Sequence, residues 1–315
     1  MKGLIAIPIV VGSLLLIGGG ALFGVAVYKS SKNSTIETKE YKDLESFNKF
    51  DIDLTIADLE FKKGDAAKVV VNETKYDTHD VSVSDGTLLI KGKDTRKWYE
   101  HIFNWNWFDK VSITVYMPEG DYDALKVKSS TGDIVVPEDF TFASFEAKAS
   151  TGNITSKANV TGDITVTAST GKINFENITA NRMDLKASTG DIRLKDVNVT
   201  EDIKLKTSTG DFNLENVTCK SYESSSSTGD LNFNNVKVTN TINVKNDTGH
   251  VKMIASDAEE LDIKTSTGYV NLELLTSKIV YAESSTGRKN FPTSTTGGLC
   301  KIKTSTGDIK VTFVA

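Results

Sequence analysis

Hydrophobic and polar residues alternate singly through most of this chain, in short runs that stop at a glycine. Leu185 and Ala187 alternate with Lys186 and Ser188; after Thr189-Gly190, Ile192 and Leu194 alternate with Arg193. Ile203, Leu205 and Thr207 repeat the pattern, as do Ile263 and Thr265. A period of two over four to six residues marks half-buried strands, so the pattern predicts short strands on either side of a glycine turn.

That turn recurs. Its glycines are Gly132, Gly152, Gly171, Gly190, Gly210, Gly229, Gly249, Gly268, Gly287 and Gly307, and successive ones lie 19 or 20 residues apart. Thr precedes each, and the residue before it is Ser except at Asp247. A fixed period of about 20 residues signals a stack of equivalent coils. The fold class expected is therefore all-β: a parallel β-solenoid over residues 121–315. Its strands would stack at ~4.8 Å, and ten rungs would make a rod of about 45 Å.

The columns of this repeat carry further expectations. A small residue stands two places before each Thr, from Ser129, Ala149, Ala168 and Ala187 to Thr304, and shares parity with the inward Leu and Ile. It predicts a narrow corner, and the same parity assigns the turn threonines inward. After the turn the inward column is Ile134, Ile154, Ile173, Ile192, Phe212, Leu231, Val251, Val270 and Ile309, broken only by Lys289. Glycine suits a turn that needs positive φ or close backbone approach. The Thr and Ser ladders are expected to hydrogen-bond to neighbouring rungs and turn backbone. A second corner falls at Asn177-Ile178, Asn198-Val199 and Asn216-Val217, because Asn tolerates left-handed backbone.

Ahead of the repeats, residues 44–120 alternate without Thr-Gly. Phe50, Ile52, Leu54 and Ile56 form one run, Val111, Ile113 and Val115 another, and Asp85-Gly86 is a hairpin signal. This region is expected to be an irregular β cap, since an open solenoid needs its first rung hidden. Leu4–Tyr28 carries no charge over 25 residues, long enough to span a bilayer with some tilt. Residues 1–28 therefore predict a signal anchor, that is, one transmembrane helix, rather than a cleaved signal peptide, although Gly24-Val25-Ala26 offers small residues at a cleavage site. Residues 29–43 read as a short tether. Lys2 on one side and Lys29 and Lys32 on the other leave orientation undecided.

Composition narrows the function classes. A net charge of -5 spread along the chain argues against nucleic acid as a partner. All three tryptophans lie between residues 96 and 110. Trp98, Tyr99, Phe103, Trp105, Trp107 and Phe108 thus make either a hairpin tip over the solenoid's end or an exposed patch for a partner or the bilayer interface. None of His79, His101 and His250 has metal-ligand spacing, and no nucleophile, phosphate or dinucleotide motif occurs, so no catalysis, cofactor or small-molecule substrate is expected. Asp191, Asp211 and Asp230 fall in line on consecutive rungs. Turn chemistry relieved by the lysines before the turn (Lys128, Lys148, Lys186, Lys206, Lys245, Lys264, Lys303) is preferred over a calcium site. Thr ladders binding ice are set aside on the inward parity. Cys219 and Cys300 stand about four rungs, or roughly 19 Å, apart, which forbids a bridge.

The uncharged N-terminal run, a strand-rich lead ending in VSITVYMP and rungs of the form KxSTGDIxL resemble the bacterial "putative adhesin" family, membrane-anchored β-strand-repeat proteins of unknown function. The resemblance spans residues 44–315. It implies a β-solenoid at the cell envelope, and some members accompany envelope-stress regulators. The function expected is a non-enzymatic, single-pass, membrane-anchored surface protein, its bulk outside the cytoplasm, presenting an adhesin-like solenoid to an envelope or external partner. An envelope-stress regulatory module acting on a membrane partner is the alternative, and a polysaccharide-acting β-helix enzyme a third.

Overall fold

The computed structural model of the chain describes residues 36–95 and 111–314, which are all strand and connection with no helix. The expected membrane helix, residues 29–35 of the expected tether and the aromatic stretch from Trp98 to Phe108 lie outside the described residues; the rest of the tether is not plain linker, since Glu37–Tyr41 forms a strand. Among the described residues no helix is long and apolar enough to cross a membrane.

The chain opens with β1 (Glu37–Tyr41), β2 (Lys49–Ile56), β3 (Asp58–Lys63), β4 (Lys68–Glu73), β5 (Asp77–Ser84), β6 (Thr87–Asp94) and β7 (Ser112–Met117). The rungs follow as β8 (Gly120–Thr131), β9 (Ile134–Val136), β10 (Phe140–Thr151), β11 (Ile154–Ser156), β12 (Asn159–Val160), β13 (Asp163–Thr170), β14 (Ile173–Ala180), β15 (Arg182–Thr189), β16 (Ile192–Val199) and β17 (Asp202–Thr209). They continue as β18 (Phe212–Thr228), β19 (Leu231–Thr248), β20 (Val251–Ser256), β21 (Glu260–Thr267), β22 (Val270–Leu274), β23 (Lys278–Thr286), β24 (Lys289–Asn290), β25 (Gly298–Thr306) and β26 (Ile309–Phe313).

Strands of successive coils pair in parallel with matching positions aligned. Ile173 lies beside Ile192, Ile192 beside Phe212, and Phe212 beside Leu231. Side chains at these positions are fully buried, each stabilising by about 1.5–3 kcal/mol. A coil has three corners. In β18 the second is Asn216, at φ 54°, and the third lies where the ladder shifts between Cys219 and Ser221. At each corner two consecutive residues point outward, so alternation restarts on the far side. In the coil of Gly190 the left-handed residue of the second corner is Asp196 rather than Asn198.

Parity therefore fails at the glycine corner too, and the turn threonines are not inward. Thr151, Thr170, Thr189, Thr209 and Thr228 are all exposed, each beside an exposed Ser. Chain on the outside of a sharp bend directs both neighbouring side chains to solvent.

The stack begins earlier than the repeats. β2 pairs in parallel with β8, placing Phe50 beside Leu125 and Ile52 beside Val127. β3 pairs with β9, Leu59 beside Ile134. Ala57 stands where the glycine would be, and Gly132 packs on its carbonyl. β6 and β7 add a further parallel layer to β2 and β3. Among the described residues the antiparallel pairings are β1 with β4, β4 with β7 and β5 with β6, and they form the irregular edge. The β5–β6 hairpin turns at Asp85 and Gly86, with φ of 51° and 68°.

The other end departs from chain order. β25 lies between β21 and β23, and β26 between β22 and β24. The last coil of the sequence is inserted inside the stack, and the coil of Gly287 forms its end. Lys289 breaks the apolar column for this reason: it sits beside Ile309 with no coil beyond it, and is exposed.

Candidate binding surfaces

Each surface of the rod is a column of one side chain per coil, and the glycine corner fixes the columns' register. Nine of the ten turn glycines, Gly287 excepted, have φ between 131° and 149°. A Cβ on Gly210 would lie 2.1 Å from the carbonyl oxygen of Gly190, and similar overlaps recur up the column. Positive φ and close approach thus act together. Gly210 N–H donates to the Thr228 carbonyl at 2.9 Å, and the other turn glycines from Gly132 to Gly268 donate likewise to a threonine carbonyl of the neighbouring coil. The small inward column supplies a second contact. Asn246 Nδ2 donates to the Gly229 carbonyl at 3.0 Å and Ser284 Oγ to the Gly307 carbonyl at 2.9 Å.

The residues after the glycines form a hydrogen-bonded ladder. Asp191 Oδ1 accepts the Asp211 N–H at 3.1 Å, Asp211 Oδ1 that of Asp230 at 2.7 Å, and Asp230 Oδ1 that of His250 at 2.8 Å. His250 Nδ1 then accepts the Tyr269 N–H at 3.1 Å, and the two rings stack with centroids 3.7 Å apart. The Asp211 N–H, then Lys172 Nζ at 3.0 Å, hold the Asp191 carboxyl below its ordinary range. The like charges are therefore eased by backbone amides and Lys172. The lysines before the turn meet other acids: Lys148 pairs with Glu146 at 2.7 Å, Lys186 with Asp184 at 2.9 Å and Lys264 with Asp262 at 2.9 Å. Such exposed pairs contribute about 0–1 kcal/mol each.

The next outward column runs Asn174, Arg193, Asn213 and Asn232, with Lys252 and Asn271 beyond. It floors a groove of about 560 Å³ on β14, β16, β18 and β19, bounded by Lys172 and Asp191 on one side and Glu215 and Asn234 on the other. Asn232 Nδ2 donates to Asn213 Oδ1 at 3.2 Å, and Arg193 stands 3.9 Å from Glu215. The column offers hydrogen-bond donors at every step and acceptors at most. Its signal is in the sequence, three residues after each of Gly171, Gly190, Gly210 and Gly229, but the charged Asp and Lys columns beside it are the more conspicuous pattern.

Two ionic clusters, each centred on a buried charged side chain, lie away from these columns. Lys278 Nζ lies 2.8 Å from Asp257 Oδ1, and Thr276 Oγ1 donates to Asp257 Oδ2 at 2.6 Å. Glu73 Oε2 accepts the His79 N–H at 2.6 Å and meets Nδ1 at 3.3 Å, while Lys39 pairs with Glu73 Oε1 and ties β1 to β4. Burial holds the His79 imidazole below its ordinary value, against the pull of Glu73. Cys219 and Cys300 are buried free thiols, and burial pushes both up to about 12.

Among the crystal structures that align with the chain are three, each of a "putative adhesin". That from Parabacteroides merdae ATCC 43184 has a TM-score of 0.53 at 14% identity, covering 77% of this chain and 97% of its own. That from Parabacteroides distasonis ATCC 8503 has a TM-score of 0.49 at 13% identity, covering 89% and 98%. That from Bacteroides fragilis NCTC 9343 has a TM-score of 0.43 at 16% identity, covering 88% and 97%. At such identities the likeness concerns fold alone, and the first carries it. No curated protein matches the chain. The Toastrack DUF4097 family model matches residues 47–312, from the parallel β2–β3 coil to the inserted β26. The chain belongs to the Toastrack DUF4097 family.

Proposed function

We propose that this is a non-enzymatic, single-pass membrane protein that presents its solenoid outside the cytoplasm as a rod for adhesin-like binding. The uncharged run from Leu4 to Tyr28 supports an anchor at the N-terminal end. The observation that carries the reading is the column Asn174, Arg193, Asn213 and Asn232 lining the groove. Equivalent coils present a polar side chain at each ~4.8 Å step, so a partner with repeating polar groups meets several weak sites at once.

Protease added to intact cells, with the chain followed by antibody, tests the placement. Digestion of the solenoid with retention of a membrane-bound fragment is expected. Complete protection rejects the placement and favours the regulatory alternative. Replacing Arg193, Asn213 and Asn232 with Ala then tests the face: partners retained by the wild-type protein should be lost while thermal stability stays within a few degrees.

A further inference from the structure

The two ends of the stack differ, and the C-terminal one is left open. β23 pairs with β25 along one edge and, among the described residues, with nothing along the other. It is nine residues long and holds no proline. Val280 and Ala282 point inward but are only half-buried, whereas Cys300 and Ile302, one coil in, are 0% and 2% exposed. Tyr281, on the outer side, is 62% exposed, the most of any large hydrophobic among the described residues.

An unpaired strand edge is a template for another strand, and proteins ordinarily blunt it with charge, proline or a bulge. β23 lacks that protection. Lys278 is turned inward against Asp257, and the charge left on the exposed part of the strand is Glu283, paired with Lys303 at 3.3 Å.

We propose that β23 is a self-association edge, where a second copy of this chain pairs antiparallel across a two-fold axis at Tyr281. In that register Val280 faces Ala282 of the second copy, and Ala282 faces its Val280, closing the half-open core twice. Tyr281 meets Tyr281, Glu283 faces Ile279, and no like charges oppose. A head-to-tail arrangement fits less well. Setting Val83 and Val81 of β5 against Val280 and Ala282 places Asp80 opposite Glu283, and like charges directly across a sheet are destabilising. A two-fold contact also closes at a dimer, whereas head-to-tail contacts propagate.

With the N-terminal end anchored, the paired tips would point away from the membrane and join rods on two facing surfaces. That consequence rests on the placement proposed above; the pairing does not.

Full-length protein in detergent micelles, examined by sedimentation over a concentration series, tests the pairing. A monomer–dimer equilibrium is expected. Tyr281→Lys sets two ammonium groups opposite each other and should weaken the dimer by about tenfold or more, as should Tyr281→Glu. Both should keep the wild-type circular dichroism spectrum and, at concentrations where the wild type is itself monomeric, its melting temperature, because the side chain is exposed. An equimolar mixture of the two variants should restore dimer to at least the wild-type level. A wild-type protein that stays monomeric, growth beyond a dimer, a dimer indifferent to Tyr281→Lys, or a mixture that stays monomeric would each overturn the proposal. Lipid vesicles carrying the protein should then be bridged in pairs. Dimers in detergent without bridging would reject the membrane placement and leave the pairing standing.

Discussion

Gly210→Ala puts the stacking geometry to a quantitative test. The φ of 147° at Gly210 lies where L residues rarely go, and holding Ala there costs about 1–3 kcal/mol. The added Cβ would lie 2.1 Å from the Gly190 oxygen and 2.5 Å from its carbonyl carbon. Ordinary contact is about 3.5 Å, so the coils must part by roughly 1 Å or more at this corner. Two bonds hold it, Gly210 N–H to Thr228 O and Gly190 N–H to Thr209 O, both 2.9 Å. Each contributes about 1 kcal/mol net. The loss expected is therefore about 3–5 kcal/mol, or on the order of 6–20 °C in melting temperature. Solenoid coils couple mainly to their neighbours, so the thermal transition should also broaden or split at the damaged coil. Far-UV circular dichroism melts and urea titrations of full-length protein in detergent read both effects. Thr209→Ala, at an exposed neighbour, should stay within about 0.5 kcal/mol. Gly287→Ala should lose less than half as much as Gly210→Ala, because the end coil can move outward. A Gly210→Ala protein within about 1 kcal/mol of wild type would refute the reasoning.

Asp257→Ala leaves the Lys278 ammonium buried without its partner and should cost about 3–5 kcal/mol by urea titration, whereas Asp257→Asn with Lys278→Met should cost clearly less; equal losses would show that charge is not the cause. Acid should destabilise the fold in two steps. His79 is held below its ordinary 6.5, chiefly by burial, so the unfolded chain takes up the proton first and stability drops as pH falls from 6.5 through the folded value. Asp191 is held below 3.8 and loses its contribution as pH falls from there through its own folded value. A melting temperature that stays level or rises from pH 7 to pH 5 would contradict the first step. Cys219 and Cys300, buried and pushed up to about 12, should resist iodoacetamide at pH 8 until urea unfolds the chain, and rapid labelling in the folded state would contradict their burial.

Much of the fold was legible in the sequence, because a solenoid writes its geometry as a period. The 19–20-residue spacing determined the all-β stack, and alternation within each side determined the inward columns from Ile154 to Val270. Family membership followed from the same residues. The candidate surfaces were less legible: the Asn and Arg column is written three residues after four glycines, but nothing in one sequence marks it as groove rather than plain solvated face. What only the tertiary structure decided lies at corners and ends, where local pattern gives out. Ser and Thr both face solvent at the glycine corner, because a bend interrupts the two-residue parity that holds along a straight side. β2 and β3 join the stack without a Thr-Gly turn: long-range pairing with β8 and β9 places them there, with Ala57 where the glycine would be. Strand order at the far end is a matter of which edges meet. β25 and β26 slide inside and leave β23 open because long-range pairing, not sequence order, sets neighbours in a sheet; Lys289 was the one local trace of it.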